Sequence, residues 1–189
     1  NIENKGIELT INATPIQLRD FSWQTTLTYT KNKNKVLKLS EGKSFVEDGK
    51  YLIEEGSPLG QWFGQKALGI YATDEANAYI KNSDGSFGDR LIPVYQRDPN
   101  NYNNYIYGSN GKPILSHYET KGGQKYTGDV GQMTTAGSVS KGGDIIWDDL
   151  DHDGVIGDSD RRILGNGMPT WYMGWTNYLN YKNFSLSFS

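Results

Sequence analysis

Between residues 7 and 13 the chain alternates without a break. Ile7, Leu9, Ile11 and Ala13 fall on one side of an extended backbone, and Glu8, Thr10 and Asn12 on the other. After a connection containing Pro15, the alternation resumes. Phe21, Trp23, Thr25, Leu27 and Tyr29 share a face, opposed by Ser22, Gln24, Thr26, Thr28 and Thr30. Two such runs joined by a Pro-containing turn predict an antiparallel hairpin over residues 1–30. The theme returns over residues 169–189. Trp171, Met173, Trp175, Asn177 and Leu179 alternate with Tyr172, Gly174, Thr176, Tyr178 and Asn180. A turn follows near residues 180–183, and then Phe184, Leu186 and Phe188 oppose Ser185, Ser187 and Ser189. Aromatic residues at both ends of an apolar stripe match the girdles of lipid-facing barrel strands. One buried face of a soluble β-sandwich produces the same alternation.

Residues 31–168 are less regular. Lys31, Lys33, Lys35 and Lys38 make a basic stretch read as a polar extension of the preceding strand or its border. Turn residues around Ser57-Pro58-Leu59-Gly60 flank the aromatic pair Trp62 and Phe63. Residues 72–80 are the best short helix candidate, with Thr73 as N-cap and Asp74 and Glu75 in the first turn. Residues 97–113, rich in Asn, Tyr, Gly and Pro, read as an exposed loop. Tyr102, Tyr105, Tyr107 and Trp62 are candidates to stack on a sugar ring or line a partner contact; covering local apolar surface is the plainer alternative. So long a connection is unusual in a compact domain unless it is functional. It suits the long external loops of a barrel whose opposite turns are short.

Composition narrows the picture. The chain has 189 residues, a formal charge of −3, 13% aromatic residues and 23 Gly. Aromatic, Gly-rich and lean in aliphatics is the signature of short strands with long polar connections. The charge balance excludes a broadly basic nucleic-acid binder. The absence of Cys excludes disulfides and thiolate metal sites. No apolar run reaches the roughly 20 residues of a membrane-spanning helix, which leaves spanning strands open. With His117 and His152 the only histidines and no nucleophile motif, no catalytic residue is expected. The strand pattern at both ends reads as a piece of a longer protein.

The sharpest local signal is residues 149–160, which fit D-x-D-x-D-G-x-I-x-x-x-D. Carboxylates at loop positions one, three and five (Asp149, Asp151, Asp153) converge on one centre. Gly154 permits the sharp turn, the Val155 carbonyl is the expected backbone ligand, Ile156 anchors the loop inward, and Asp160 closes the sphere. Hard oxygen ligands without thiolate select Ca²⁺. The flanking Gly143-Asp144-Ile145-Ile146-Trp147 reads as a strand, so this is no helix-loop-helix hand, and Asp in place of Glu at position twelve suits a structural clip. His152 should point outward.

Several blocks together resemble the SusC/RagA-type TonB-linked outer-membrane transporters of Bacteroidetes. They are Asn4-Lys5-Gly6-Ile7-Glu8-Leu9, Asn12-Ala13-Thr14-Pro15 and Phe21-Ser22-Trp23; Glu55-Gly56-Ser57-Pro58-Leu59-Gly60 with Gly69-Ile70-Tyr71; Gly143-Asp144-Ile145, residues 148–160 and Leu164-Gly165-Asn166; and Tyr181-Lys182-Asn183-Phe184. Residues 73–126 match nothing and read as a variable external loop. The resemblance implies a mainly β chain: antiparallel hairpins of a truncated transmembrane β-barrel, with long external loops and little helix, from the C-terminal part of the barrel. It implies a cell outer-membrane location, import of glycans or peptides, and contact with outer-membrane lipid. It also implies partnership with a SusD-like surface lipoprotein, and with TonB through a plug that this chain lacks. The alternative is a soluble, Ca²⁺-stabilised β-module that binds carbohydrate.

Overall fold

The computed structural model describes residues 1–189. The chain divides into two compact units, Asn1–Phe63 with Ile163–Ser189, and Gly64–Arg162.

The first unit is dominated by four antiparallel strands: β1 (Ile2–Gln17), β2 (Phe21–Val36), β3 (Trp171–Tyr181) and β4 (Phe184–Phe188), in the order β1-β2-β3-β4. Residues directly opposite each other in a ladder share a face. The register aligns Leu9 with Tyr29 and Met173, Ile11 with Leu27 and Trp175, and Leu179 with Leu186. The apolar positions of the four strands therefore fuse into one continuous surface. That surface is bare: Ile7 is 69% exposed, Leu186 61% and Phe184 79%.

Both indole N–H groups on this surface are paired, while Nδ2 of the fully buried Asn177 has no partner. The Trp23 indole N–H donates to Asn177 Oδ1 at 3.0 Å, and the Trp175 indole N–H donates to Thr25 Oγ1 at 2.8 Å. The opposite face carries the Thr, Ser and Asn positions, with Thr26 donating to Asn12 at 2.8 Å.

The first hairpin is longer than its alternation predicts, and its turn is only Leu18, Arg19 and Asp20. The strand continues through Thr14 and Pro15 because a register shift between Ala13 and Ile16 absorbs the proline, which has no N–H for the ladder. The basic stretch is an extension of β2 as far as Val36, paired with Glu3 and Lys5 of β1. The remainder of this unit includes the hairpin Phe45–Glu47 and Tyr51–Ile53, whose Tyr51 lies opposite Trp62.

The second unit is built from short strands around a small core of Tyr71, Tyr79, Met133 and Ile146, flanked by Ala76 and Phe87. Fully buried Asn77 is its polar pin. Its Nδ2 donates to the Met133 and Ser140 carbonyls at 2.9 and 2.7 Å, and its Oδ1 accepts from the Met133 N–H at 2.9 Å. The helix expected over residues 72–80 is not formed. Only a 3-10 turn at Asp74–Ala76 exists, and Tyr79–Lys81 is a strand. Thr73 does not cap it; its hydroxyl bonds the Tyr95 hydroxyl at 2.6 Å instead. Burial of Asn77 and Tyr79 against the core outweighs the weak local helix preference. Residues 97–113 are also more ordered than a plain loop, since Arg97–Asp98 pairs with Asn101–Tyr105 and Tyr107 bridges Pro113.

Candidate functional site

The acidic loop leaves the strand Ile145–Trp147 and lies wholly in the second unit. Its two ends are clasped by an ion pair between Arg162 and Asp148. Ligand-capable oxygens of Asp149, Asp151 and Asp153 all lie within 4.8 Å of one another. Asp149 is buried, while Asp151 and Asp153 are exposed. One Asp149 oxygen accepts from the Gly154 N–H at 2.9 Å, and the other, Oδ1, is buried with no hydrogen-bond donor. Burial raises the Asp149 pKa, helped by the charges of Asp160 and Asp153. A hydrogen bond from Ser159 lowers that of Asp151.

Backbone geometry holds this cluster. The Val155 N–H donates to Asp153 Oδ1 at 2.7 Å. His152 takes a left-handed conformation at φ 60°, and Gly154 follows at φ 78°. Val155–Ile156 pairs in parallel with Thr134–Thr135, and Ile156 is buried, so the loop is stitched to its neighbour just past the turn. The Phe87 ring packs under Gly154, and its N–H donates to the His152 carbonyl at 2.8 Å. Asp160 is fully buried and braces the loop: Oδ1 accepts from the Leu150 N–H at 2.8 Å and Oδ2 from the Gly157 N–H at 2.7 Å. It does not stand in the three-carboxylate cluster. The supporting roles of Phe87, Arg162 and the Asp160 brace carry no local sequence signal, since each depends on a contact made in space.

The aromatic candidates are not gathered in one place. Trp62 is in the first unit, 42% exposed, with its ring 4.7 Å from that of Tyr51. The two rings border a cleft of about 360 Å³ together with Glu47, Leu59 and Met168. Tyr102 and Tyr107 are exposed in the second unit. Tyr105 is occupied: the Arg97 guanidinium sits 3.7 Å over its ring and donates to its hydroxyl at 2.9 Å, and Tyr95 meets it edge-on.

Comparison with known proteins agrees with this architecture. No protein-family model matches the sequence. TonB-dependent receptor P39 of Formosa agariphila is 36% identical over all 189 residues, which amount to 16% of that protein. TonB-dependent receptor SusC of Bacteroides thetaiotaomicron is 26% identical over the whole chain, 14% of its own length. The chain thus spans about one-seventh of the relatives it matches. The solved RagAB peptide transporter superposes on 98% of this chain and 14% of its own with a TM-score of 0.50 at 13% identity, a likeness of fold. The four-stranded antiparallel sheet thus shares the fold of a segment of that transporter, and the chain is homologous along its entire length to a segment of the SusC/RagA-type TonB-dependent receptors.

Proposed function

We propose that residues 1–189 form wall strands and external loops of an outer-membrane, TonB-energised importer of glycans or peptides. The observation that carries this reading is the four-strand face on which Ile7, Leu9, Ile11, Met173, Trp175, Leu186 and Phe188 are exposed and Leu27 is half-buried. In water such a face is an aggregation surface; against acyl chains it is the ordinary exterior of a barrel. The indole pairings to Asn177 and Thr25 serve the same reading, because a polar group facing hydrocarbon needs a partner inside the protein. The uncovered stripe also disfavours the soluble carbohydrate-binding module, which needs it packed inside.

In this reading both short turns, at residues 18–20 and 182–183, face the periplasm, and residues 37–170 lie outside the cell. There the loops would shape the mouth of the pore and meet a SusD-like lipoprotein, while TonB acts through a plug elsewhere in the parent protein. The loop at residues 149–160 would hold Ca²⁺ through Asp149, Asp151 and Asp153 and, by its place in the loop, the Val155 carbonyl. The unpartnered Oδ1 of buried Asp149 fits a cation, and the ion's role would be to stiffen the loop. Asp160 acts as its brace. Trp62 and Tyr51 offer the best-formed sugar-stacking surface.

The test is fractionation of the full-length gene product. It is expected in the outer membrane, extracted by detergent and aggregating when detergent is removed. A monodisperse protein in plain buffer refutes the reading.

A further inference from the structure

The lipid-facing side of the wall does not end at its aromatic girdle. In the register of β1, β2 and β3, Lys31 lies opposite both Ile7 and Trp171, Lys33 opposite Lys5, and Lys35 opposite Glu3. No register shift interrupts this stretch, so all five charged groups stand on the same face as Leu9 and Ile11. Lys31, Lys33 and Lys35 are exposed and make no ion pair; Lys5 is matched by Glu3 at 2.9 Å. Three unpaired positive charges therefore stand in a row, beside the Lys5–Glu3 pair, directly above the apolar stretch of the same face.

Their height is informative. From Phe21, at the short-turn end, to Lys31 is ten residue steps, about 33 Å of strand and about 25 Å of vertical rise at a tilt of about 40°. That is the height of a barrel's apolar band. Tyr29 and Trp171, whose rings stack with centroids 6.5 Å apart, mark its upper edge, and the lysines begin directly above. Left alone this arrangement is unfavourable, because like charges opposite and adjacent on one sheet face repel. An anion lying along the row removes the penalty. At this height the neighbouring anions are the head groups of the surrounding lipid.

We propose that Lys31, Lys33 and Lys35 form a ledge that binds the phosphate groups of a phosphorylated lipid in the outer leaflet, with Tyr29 and Trp171 supporting its sugar or glycerol base. The proposal rests on the barrel reading above. The β2 strand would thereby fix the depth of the wall in the membrane, just beneath the external loops.

The experiment titrates diphosphoryl lipid A into the full-length gene product held in neutral detergent. Each lysine near a charged lipid surface contributes enough that replacing all three (K31Q/K33Q/K35Q) should weaken binding on the order of a hundredfold. A charge-matched variant at loop lysines (K43Q/K121Q/K125Q) should bind like the parent. Dephosphorylated lipid A should bind weakly and equally to all three proteins, and excess inorganic phosphate should not displace the lipid. Equal affinity of the two triple variants for diphosphoryl lipid A overturns the ledge, and displacement by inorganic phosphate alone overturns the lipid assignment. A fluorophore at Ile11, read in vesicles containing brominated lipid, separates the two levels. Quenching there together with equal affinities refutes the ledge while leaving the barrel reading intact. No quenching refutes both.

Discussion

Replacing Gly154 by Ala tests whether the acidic loop is held as described. Two penalties are combined at this position. The backbone is left-handed, at φ 78°, which costs a residue with a Cβ about 1–2 kcal/mol. The added Cβ would also stand 2.5 Å from Cε2 and Cζ of Phe87, a collision that overpacking data place at about 1–3 kcal/mol. The sum is about 2–5 kcal/mol of local stability. Hydrogen exchange of the Gly154, Val155 and Gly157 amides, each bonded to a loop carboxylate, reads this directly. Exchange should accelerate from roughly 30-fold to several thousandfold. Gly131→Ala meets the same ring at 2.5 Å from a backbone without positive φ, so it should show the collision alone, about 1–3 kcal/mol. Phe87→Val removes the colliding ring atoms, and in that background Gly154→Ala should keep only its backbone cost, about 1–2 kcal/mol. Rates within threefold of the parent for Gly154→Ala would show that Phe87 does not press on this turn.

Two further predictions concern the same unit. Asp149→Asn together with Asp153→Asn should abolish any Ca²⁺-dependent rise in melting temperature, and in chelator should leave the loop no less stable than the parent, since the buried carboxylate is relieved; an equal calcium response in variant and parent refutes the metal assignment. Asp74 is held below the usual carboxylate range by Lys112 at 2.8 Å and by the Gly142 N–H. Its contribution is therefore complete above the ordinary carboxylate pKa and fades as pH falls through its lowered value. Protection of the 141–144 turn should drop on acidification in the parent and change less in Asp74→Asn.

How much of this was legible beforehand depended on whether the signal was local. The alternation of Ile7, Leu9 and Ile11, and of Trp171, Met173 and Trp175, gave both hairpins, because strand periodicity is written directly in side-chain order. The extension of β2 through Lys33 and Lys35 was less visible, since alternating Lys and Asn do not look like a strand until β1 supplies the partner. Residues 72–80 misled because the cap-like Thr73 and the acidic first turn are local features, whereas Asn77 and Tyr79 are claimed by a core assembled from distant segments. In the acidic loop, spacing alone brought Asp149, Asp151 and Asp153 together. Asp160 has the spacing of a ligand, yet its short side chain satisfies two backbone N–H groups and stands back from the cluster. Tyr105 looked as available as Tyr102 and Tyr107 until Arg97 was found lying on it.

The central claim is that one face of the four-stranded sheet lies against hydrocarbon, and a single-cysteine scan tests it most directly. Labels placed one at a time from Thr25 to Lys31, in the full-length gene product reconstituted in vesicles, are read with a lipid-confined quencher and a water-soluble one. The account predicts a two-residue alternation: Thr25, Leu27 and Tyr29 quenched from lipid, Thr26, Thr28 and Thr30 from water, with lipid quenching fading at Lys31. Water quenching at Leu27 and Tyr29, or an alternation of opposite phase, would contradict it.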